Sequence, residues 1–288
     1  MIRLRSLFAQ HPPTRALLLG EVVSPGISFD FFRVTGRLPF RDFVRNNKFD
    51  IGEFPLVPLL QARELGKPLV LLPVVLTQRH QHASVYVRAQ SSLSPNDLSN
   101  RRVAVRSHAN TGVAWARGIL ANDYGVDVKS LTIIDFEDNH VAEYVSPPHV
   151  HRAAPGKDLV QMLVDGDVDA AITEVDLSGD HRVRYLFDDP VAEAKRWQAR
   201  HGVIPAVHVV ALNSNLSSSR PNLAKEIFEL MRPGQSATRV NDRALPFGAD
   251  ALQSMLSLII EYSFEQGLIQ RRLNVDELYD DATRALRA

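Results

Sequence analysis

The sequence of 288 residues contains no cysteine. Disulfides, thiol nucleophiles and thiolate metal sites are therefore excluded, which leaves histidine and carboxylate side chains as the only strong metal ligands. The sequence also lacks net charge, because 33 lysine and arginine residues balance 33 aspartate and glutamate residues. Such a protein has no overall field that attracts nucleic acid or an anionic membrane. We therefore expect a small-molecule partner and neither of those two.

Long apolar runs are absent as well. No stretch of the sequence approaches the roughly 20 residues that a membrane-spanning helix needs. Residues 1–8 are basic enough to begin a leader, but the apolar run at residues 16–20 is too short for the core of a signal peptide. We expect a cytoplasmic protein. The sequence does not determine the number of subunits, and a homo-oligomer is one alternative.

Predicted strands and helices alternate along most of the chain. With 45% hydrophobic residues, the chain can bury two separate cores. A polar break at residues 91–97 and an apolar strand resuming near residue 206 predict that the chain leaves one α/β lobe and returns to it. We assign residues 1–92 and 206–288 to lobe one and residues 93–205 to an inserted lobe two. Ligands should bind between the lobes, at the carboxyl ends of strands.

One strand of lobe one has a distinctive composition. Residues 69–76 form a continuous apolar run of strand length. Because both faces of such a strand must be covered, the run is typical of a parallel strand.

The stretch with the most chemical potential is residues 77–88, which holds two histidines, arginine and serine before an alternating apolar end. In an extended chain His80, His82 and Ser84 share one face, while Arg79 points to the other. That face suits an anion site or a proton-transfer site. The alternative is a solvated strand end with ordinary surface histidines.

A second anion site is predicted after the first strand of lobe two. Arg106, Ser107 and Thr111 precede a helix expected over residues 113–121, and a helix N-terminus offers unpaired backbone N–H groups. Farther along, residues 137–156 contain three histidines and three prolines. This longest irregular segment is a candidate lid.

Eight segments, spread in the same order over nearly the whole chain, resemble the family of 4,5-dihydroxyphthalate decarboxylase. They are residues 49–53 (FDIGE), 82–88 (HASVYVR), 115–120 (WARGIL), 123–126 (DYGV), 184–190 (RYLFDDP), 204–210 (IPAVHVV), 245–248 (LPFG) and 262–268 (YSFEQGL). The resemblance implies the type 2 periplasmic-binding-protein fold, an α/β fold in which two lobes surround a cleft. Most proteins with this fold bind solutes, whereas a few, including this decarboxylase, are enzymes.

The sequence departs from the family pattern where the substrate would be held. The family usually has arginines one and four residues before the histidine that matches His82. Here Gln81 and Gln78 occupy those places, and Arg79 lies one position away from the second. If the family arginines hold the substrate's carboxylates, this protein accepts a different acid.

The resemblance implies decarboxylation of a hydroxylated aromatic carboxylate, which requires an acid that protonates the ring carbon. His82 is the predicted acid, with Glu53 as its partner or as the acceptor of the substrate's hydroxyl proton. Arg79 and Arg106 are predicted carboxylate clamps, because a guanidinium group binds a carboxylate with two N–H donors. The alternative is structural: an ion pair for Glu53 and a backbone hydrogen bond for His82.

Further substrate contacts are predicted on both lobes. They are His80, Ser84, Ser107, Thr111, Trp115 and His208. His208 lies inside an apolar strand, so a buried structural histidine is the alternative there. Trp115 and Arg117 are two residues apart on a helix and cannot share a face, so at most one of them lines the cleft.

Two His-x-His pairs raise the alternative of a metal site. His80 with His82, and His149 with His151, each place two imidazoles on one side of an extended segment, and Glu53 or Asp50 could add an oxygen ligand. The second pair lies in the irregular, proline-rich segment, and no strong ligand set is contiguous in the sequence. We therefore expect no bound metal and no cofactor.

The predicted function is that of a cofactor-independent decarboxylase, or related lyase, of a hydroxylated aromatic carboxylate. The alternative is a solute-binding protein for a small aromatic or organic acid that works with an ABC transporter. A third candidate is a cytoplasmic sensor without catalytic activity. The same fold serves all three functions, so the fold alone does not choose among them.

Overall fold

A computed structural model describes residues 1–240 and 243–288 of the protein. The chain begins with β1 (Ile2–Leu7), α1 (Arg15–Leu18), β2 (Ile27–Phe31), α2 (Phe40–Asn46), β3 (Ile51–Pro55), α3 (Leu56–Glu64) and β4 (Leu69–Gln78). It continues with β5 (Val85–Arg88), β6 (Arg102–Val105), α4 (Thr111–Tyr124), β7 (Thr132–Asp135), β8 (Val150–Arg152), α5 (Leu159–Asp165), β9 (Ala170–Ile172), β10 (Val183–Tyr185) and α6 (Pro190–His201). The last elements are β11 (Ala206–Asn213), α7 (Ser214–Ser219), α8 (Pro221–Ala237), β12 (Arg239–Val240), β13 (Arg243–Ala244), α9 (Ala249–Glu265) and α10 (Asp281–Arg284).

The first lobe is built on a five-stranded sheet in the order β2-β1-β3-β11-β4. Strand β1 is parallel to β2 and β3, whereas β11 is antiparallel to β3 and β4. The prediction that residues 69–76 form a parallel strand is therefore wrong, because β4 is an antiparallel strand at the end of the sheet. Its side chains alternate between two hydrophobic clusters, one on each face. The continuous apolar run thus indicates that both faces of β4 are buried, but it does not indicate whether the strand is parallel or antiparallel to its neighbour.

The second lobe is built on a six-stranded sheet in the order β10-β5-β9-β6-β7-β8. Strands β9, β6, β7 and β8 are mutually parallel neighbours, and β5 is antiparallel to both β9 and β10. Because β5 belongs to this sheet, the first crossing lies between Gln78 and Val85 and not at the predicted residues 91–97. The polar composition of that later segment marks a surface loop. The chain returns to the first sheet with β11.

The predicted α/β architecture with two lobes is confirmed by the two sheets and their flanking helices. The two crossing segments run side by side, since the backbone N–H of Arg79 donates to the carbonyl of Pro205 at 2.9 Å. Within residues 1–240 and 243–288, no helix is both long and apolar enough to cross a membrane.

Helix α4 of the second lobe packs directly on helix α9 of the first. Gly118 permits this approach, because a Cβ atom there would lie 2.1 Å from the ring of Tyr262. One turn earlier, the indole N–H of Trp115 donates to the carbonyl of Ala206 at 2.8 Å. The two lobes therefore share a buried contact on the side of α4, and the cleft lies elsewhere between them.

Candidate active site

Loops at the carboxyl ends of the parallel strands in both sheets border one cavity of about 730 Å³. Its ionisable lining includes His11, Arg37, Glu53, Arg106, Glu137, His140, Glu174 and His208. The first lobe contributes the loops after β1 and β2 and the end of β3. The second lobe contributes the loops after β6, β7 and β9. The topology thus brings residues far apart in the sequence to one cleft, at the strand ends where ligands bind in open α/β sheets.

Glu53 is one of the residues of this cavity wall, and its side chain has no exposed surface. It accepts hydrogen bonds from His11 Nε2 at 2.9 and 3.0 Å and from His208 Nδ1 at 2.5 Å. The backbone N–H of Ala9 adds a third donor at 3.1 Å. A buried carboxylate is thus surrounded by N–H donors from the loop after β1 and from β11.

The motif around Glu53 explains its position. Strand β3 is buried along its whole length, and Gly52 pairs with Leu7 of β1. A Cβ atom on Gly52 would lie 2.3 Å from the carbonyl oxygen of Leu7. Only glycine allows this close approach, which places Glu53 against the loop that carries His11.

Opposing effects act on the Glu53 carboxyl group. Burial on its own raises its pKa, but the hydrogen bonds from His11 and His208 outweigh burial and lower the pKa to about 2. The group is therefore a carboxylate at neutral pH, and the imidazole nitrogens that face it carry protons. His208 Nε2, the opposite nitrogen of that ring, makes no hydrogen bond to the described residues, so it is free to act on a ligand.

Arginine side chains line the cleft together with acidic ones, two of which, Glu137 and Glu174, lie next to arginines. Arg37 forms an ion pair with Glu137, and Arg106 lies 3.7 Å from Glu137 and 4.0 Å from Glu174. Arg79 does not line this cavity, but its Nη2 lies 2.7 Å from Glu174 Oε1. The internal carboxylates thus occupy the positions near the arginines that the carboxylate of a ligand would take.

An aromatic wall lies beside the histidines. The Phe40 ring is 5.3 Å from the His208 ring and 5.8 Å from the His140 ring, measured between centroids. Burial, and next to it the positive charge of Arg41 and Arg106, lowers the pKa of His140 to about 4. His140 is therefore neutral at pH 7, and this side of the cleft suits a flat, uncharged part of a ligand.

The irregular segment predicted as a lid is attached to the first lobe. From α2, Arg41 donates to the carbonyl of Asp138 and Arg45 to the carbonyl of His140, both at 2.8 Å. Lys67 forms an ion pair with Glu143. The segment also contains β8, so it is less irregular than its prolines indicate. Glu137 and His140 of this segment line the cavity, and its contacts with α2 and Lys67 join the two lobes.

A smaller cavity of about 170 Å³ adjoins the main one. The two cavities share Arg37, Arg106 and Glu174, and Gln81 and Ser84 line only the smaller one. Arg106 therefore lies at the junction, where one arginine can contact ligand groups in either space.

The structure corrects the strand predicted over residues 79–84. Strand β4 ends at Gln78, and residues His82–Ser84 form a 3₁₀ turn, because this segment is the crossing between the sheets. His82 is 1% exposed and packs against Phe187 and Trp197, with ring centroids at 5.1 and 6.4 Å. It lines neither cavity, and Glu53, its predicted partner, binds the two other histidines. The catalytic role of His82 stays a prediction that its position does not support.

His82 gives a test of the structure through pH. Burial, and next to it the charge of His80, lowers the pKa of His82 to about 4, so the folded state favours the neutral ring. Below about pH 6.5 the His82 ring takes up a proton in the unfolded state but not in the folded state, which lowers the free energy of unfolding. The loss grows as the pH falls toward 4 and is about 2 kcal/mol at pH 5. We expect His82→Gln to lose less stability than the wild type between pH 7 and pH 5 in urea unfolding. Equal losses would contradict the burial of this ring.

The remaining predicted contacts do not line the cavities, except for Ser84. His80 Nε2 lies 3.1 Å from the side-chain amide of Gln198 on α6. Ser107, Thr111 and Trp115 have no exposed surface. The hydroxyl of Thr111 accepts a hydrogen bond from the backbone N–H of Val57 at 3.0 Å, which joins the lobes. These three side chains are structural parts of the interior and not of the cleft wall.

Sequence reasoning missed His11, Arg37 and His140 as site residues. Their common signal is position, since each lies in a loop or irregular segment after a strand of the parallel part of a sheet. That signal selects loops, but it does not say which side chain of a loop turns into the cleft.

No family model matches the chain. A curated relative, 4,5-dihydroxyphthalate decarboxylase from Comamonas testosteroni, is 27% identical over 308 aligned positions that cover 93% of each chain. Among solved structures, the periplasmic aliphatic sulphonate binding protein SsuA from Escherichia coli superposes with a TM-score of 0.60 at 13% identity, covering 97% of this chain and 92% of that one. The desulfurization enzyme DSZB superposes with a TM-score of 0.54 at 16% identity, covering 97% of this chain and 97% of that one. The chain is therefore similar over most of its length to 4,5-dihydroxyphthalate decarboxylase and has the two-lobed fold of the periplasmic binding proteins, as the resemblance of its sequence predicted.

Proposed function

We propose that the protein is a carboxy-lyase that removes carbon dioxide from a hydroxylated aromatic carboxylate without a cofactor. The observation that carries the proposal is the buried Glu53 carboxylate, hydrogen-bonded to two histidines in a cleft that also holds arginines. Arginines are sufficient to bind an anionic solute, whereas a histidine held in one tautomer by a buried carboxylate is the arrangement that proton transfer requires. The decarboxylase from Comamonas testosteroni, similar over most of the chain, supports the same reading.

The arginines bind the substrate. A carboxylate that enters the cleft replaces Glu137 and Glu174 beside Arg106 and Arg37, and the aromatic ring lies along Phe40. Burial lowers the pKa of Arg106, although Glu174 raises it, and a guanidinium in such a partly desolvated site binds a carboxylate more strongly than in water. Binding therefore exchanges internal ion pairs for ion pairs with the substrate.

His208 is the proposed acid, in place of His82, because it lines the cavity and is held by Glu53. In its doubly protonated form it donates the Nε2 proton to the ring carbon that carries the carboxylate. The bond between that carbon and the carboxylate then breaks, its electron pair restores the aromatic ring, and carbon dioxide leaves. Glu53 stabilises the imidazolium and fixes its orientation, and His208 regains a proton from solvent.

The choice of substrate depends on Gln81. This residue lines the smaller cavity, and it stands where the family usually has an arginine. The exchange removes one positive charge from the substrate site. We propose that a hydroxybenzoate with a single carboxylate is a better substrate than a hydroxyphthalate with two.

The direct test is carbon dioxide release from a panel of hydroxybenzoates and hydroxyphthalates. We expect catalytic release from at least one acid, with a higher kcat/KM for monocarboxylates. A His151→Gln variant serves as the control, because His151 is an exposed histidine on β8 outside both cavities, and it should match the wild type. A saturable thermal shift with one acid per chain and no carbon dioxide would overturn the proposal in favour of a solute-binding protein.

A further inference from the structure

We propose that His11, Glu53 and His208 also form a binding site for one divalent transition-metal ion. Among residues 1–240 and 243–288, these three form the one group of histidine and acidic side chains whose ligand atoms all lie within 4.8 Å of one another. The inference goes beyond the proposed function and reverses the expectation, made from the sequence, that no metal binds.

The geometry of the cluster fits a metal ion after small movements. The nitrogens of His11 and His208 lie 2.9 and 2.5 Å from Glu53 Oε1. Ligand atoms at about 2.0–2.2 Å from one tetrahedral ion are themselves roughly 3.5 Å apart, so the two rings need to move away from Glu53 by about 1 Å or less. His11 would coordinate through Nε2 and His208 through Nδ1.

The electrostatics favour a cation in this position. Glu53 is fully buried, yet no lysine or arginine of the described residues forms an ion pair with it. A buried carboxylate without a cationic partner is costly whenever both histidines are neutral. A divalent cation supplies the missing charge, and the backbone N–H of Ala9 keeps Glu53 Oε2 in place so that Oε1 faces the histidines.

The donor set selects the class of metal. Two imidazole nitrogens and one carboxylate oxygen suit zinc and its neighbours, whereas magnesium and calcium prefer oxygen ligands throughout. The ion would use the same atoms that share protons in the metal-free cluster. A His208 ring that coordinates the ion through Nδ1 cannot be doubly protonated, so metal binding excludes proton donation from Nε2. In this one consequence, which rests on the proposed function, zinc inhibits turnover.

The test is isothermal titration of chelator-treated full-length protein with zinc chloride, without any substrate. We expect one zinc per chain, with an affinity at least a hundredfold lower in His11→Gln and in His208→Gln. The control is the double variant His149→Gln/His151→Gln, which removes one of the two His-x-His pairs of the sequence and should bind zinc as the wild type does. The proposal would be overturned if the wild type bound no zinc, or if zinc binding were lost only in the control.

A second measurement covers variants that fail to fold. Wild-type crystals soaked in zinc chloride should show an anomalous scattering peak between the three side chains, and a peak only at another place would overturn the proposal. Neither measurement contains substrate. Failure of the metal site therefore leaves the carboxy-lyase proposal untouched, and absence of carbon dioxide release leaves the metal site untouched.

Discussion

Glu53→Gln is expected to lower kcat at least a hundredfold while the affinity for the aromatic acid stays within a few fold of the wild type. Glutamine has nearly the same volume, but it carries no charge and cannot accept hydrogen bonds from His11, His208 and Ala9 at once. The imidazolium of His208 then loses the carboxylate that stabilises it, which affects the transition state more than the bound substrate. Steady-state kinetics on the acid identified by carbon dioxide release, together with calorimetric binding, separate the two effects.

The matched control is Asp50→Asn, which removes a carboxylate just before the same strand. Asp50 accepts a hydrogen bond from Arg5 Nη2 at 2.6 Å, and it does not line the cavity. Its turnover should equal that of the wild type. A folded Glu53→Gln protein with kcat within threefold of the wild type would remove Glu53 from the mechanism.

Gly118→Ala is expected to reduce the free energy of unfolding by at least about 2 kcal/mol, although alanine normally favours a helix over glycine by roughly 1 kcal/mol. The sign reverses because the added Cβ would lie 2.1, 2.4 and 2.8 Å from three atoms of the Tyr262 ring. Both Tyr262 and the neighbouring Trp115 are fully buried, so neither ring can move aside without disturbing the core. Urea unfolding measures the change.

Gly179→Ala is the control for this substitution, since a Cβ there meets no atom within 4 Å. Its stability should stay within about 0.5 kcal/mol of the wild type, as is usual for surface changes. A Gly118→Ala protein as stable as the wild type would show that the two lobes do not pack at this point as described.

Local patterns predicted the elements and several single residues of the site. The alternation of apolar residues predicted β1, and the position of a carboxylate near the end of a short strand predicted Glu53 as a site residue. The partners of Glu53 were beyond such reasoning, because His11 and His208 lie 42 and 155 residues away from it. Their meeting depends on β11 entering the first sheet next to β3, which no local pattern encodes. The strand predicted around His82 was wrong for the opposite reason: the neighbouring residues favour a strand, but the chain turns there to change sheets.

The position of β11 has a consequence for how the chain is made. This strand lies between β3 and β4, yet it follows β4 only after the whole second lobe. At 5–20 residues per second, the ribosome needs roughly 6 to 25 seconds for the about 130 residues in between. Throughout that time β4 lacks its neighbouring strand, and its apolar faces can contact wrong partners while the second lobe is being synthesised. The lobe that is synthesised first is thus the one that finishes folding last. A chaperone that covers the apolar faces of β4 would need to bind during those seconds.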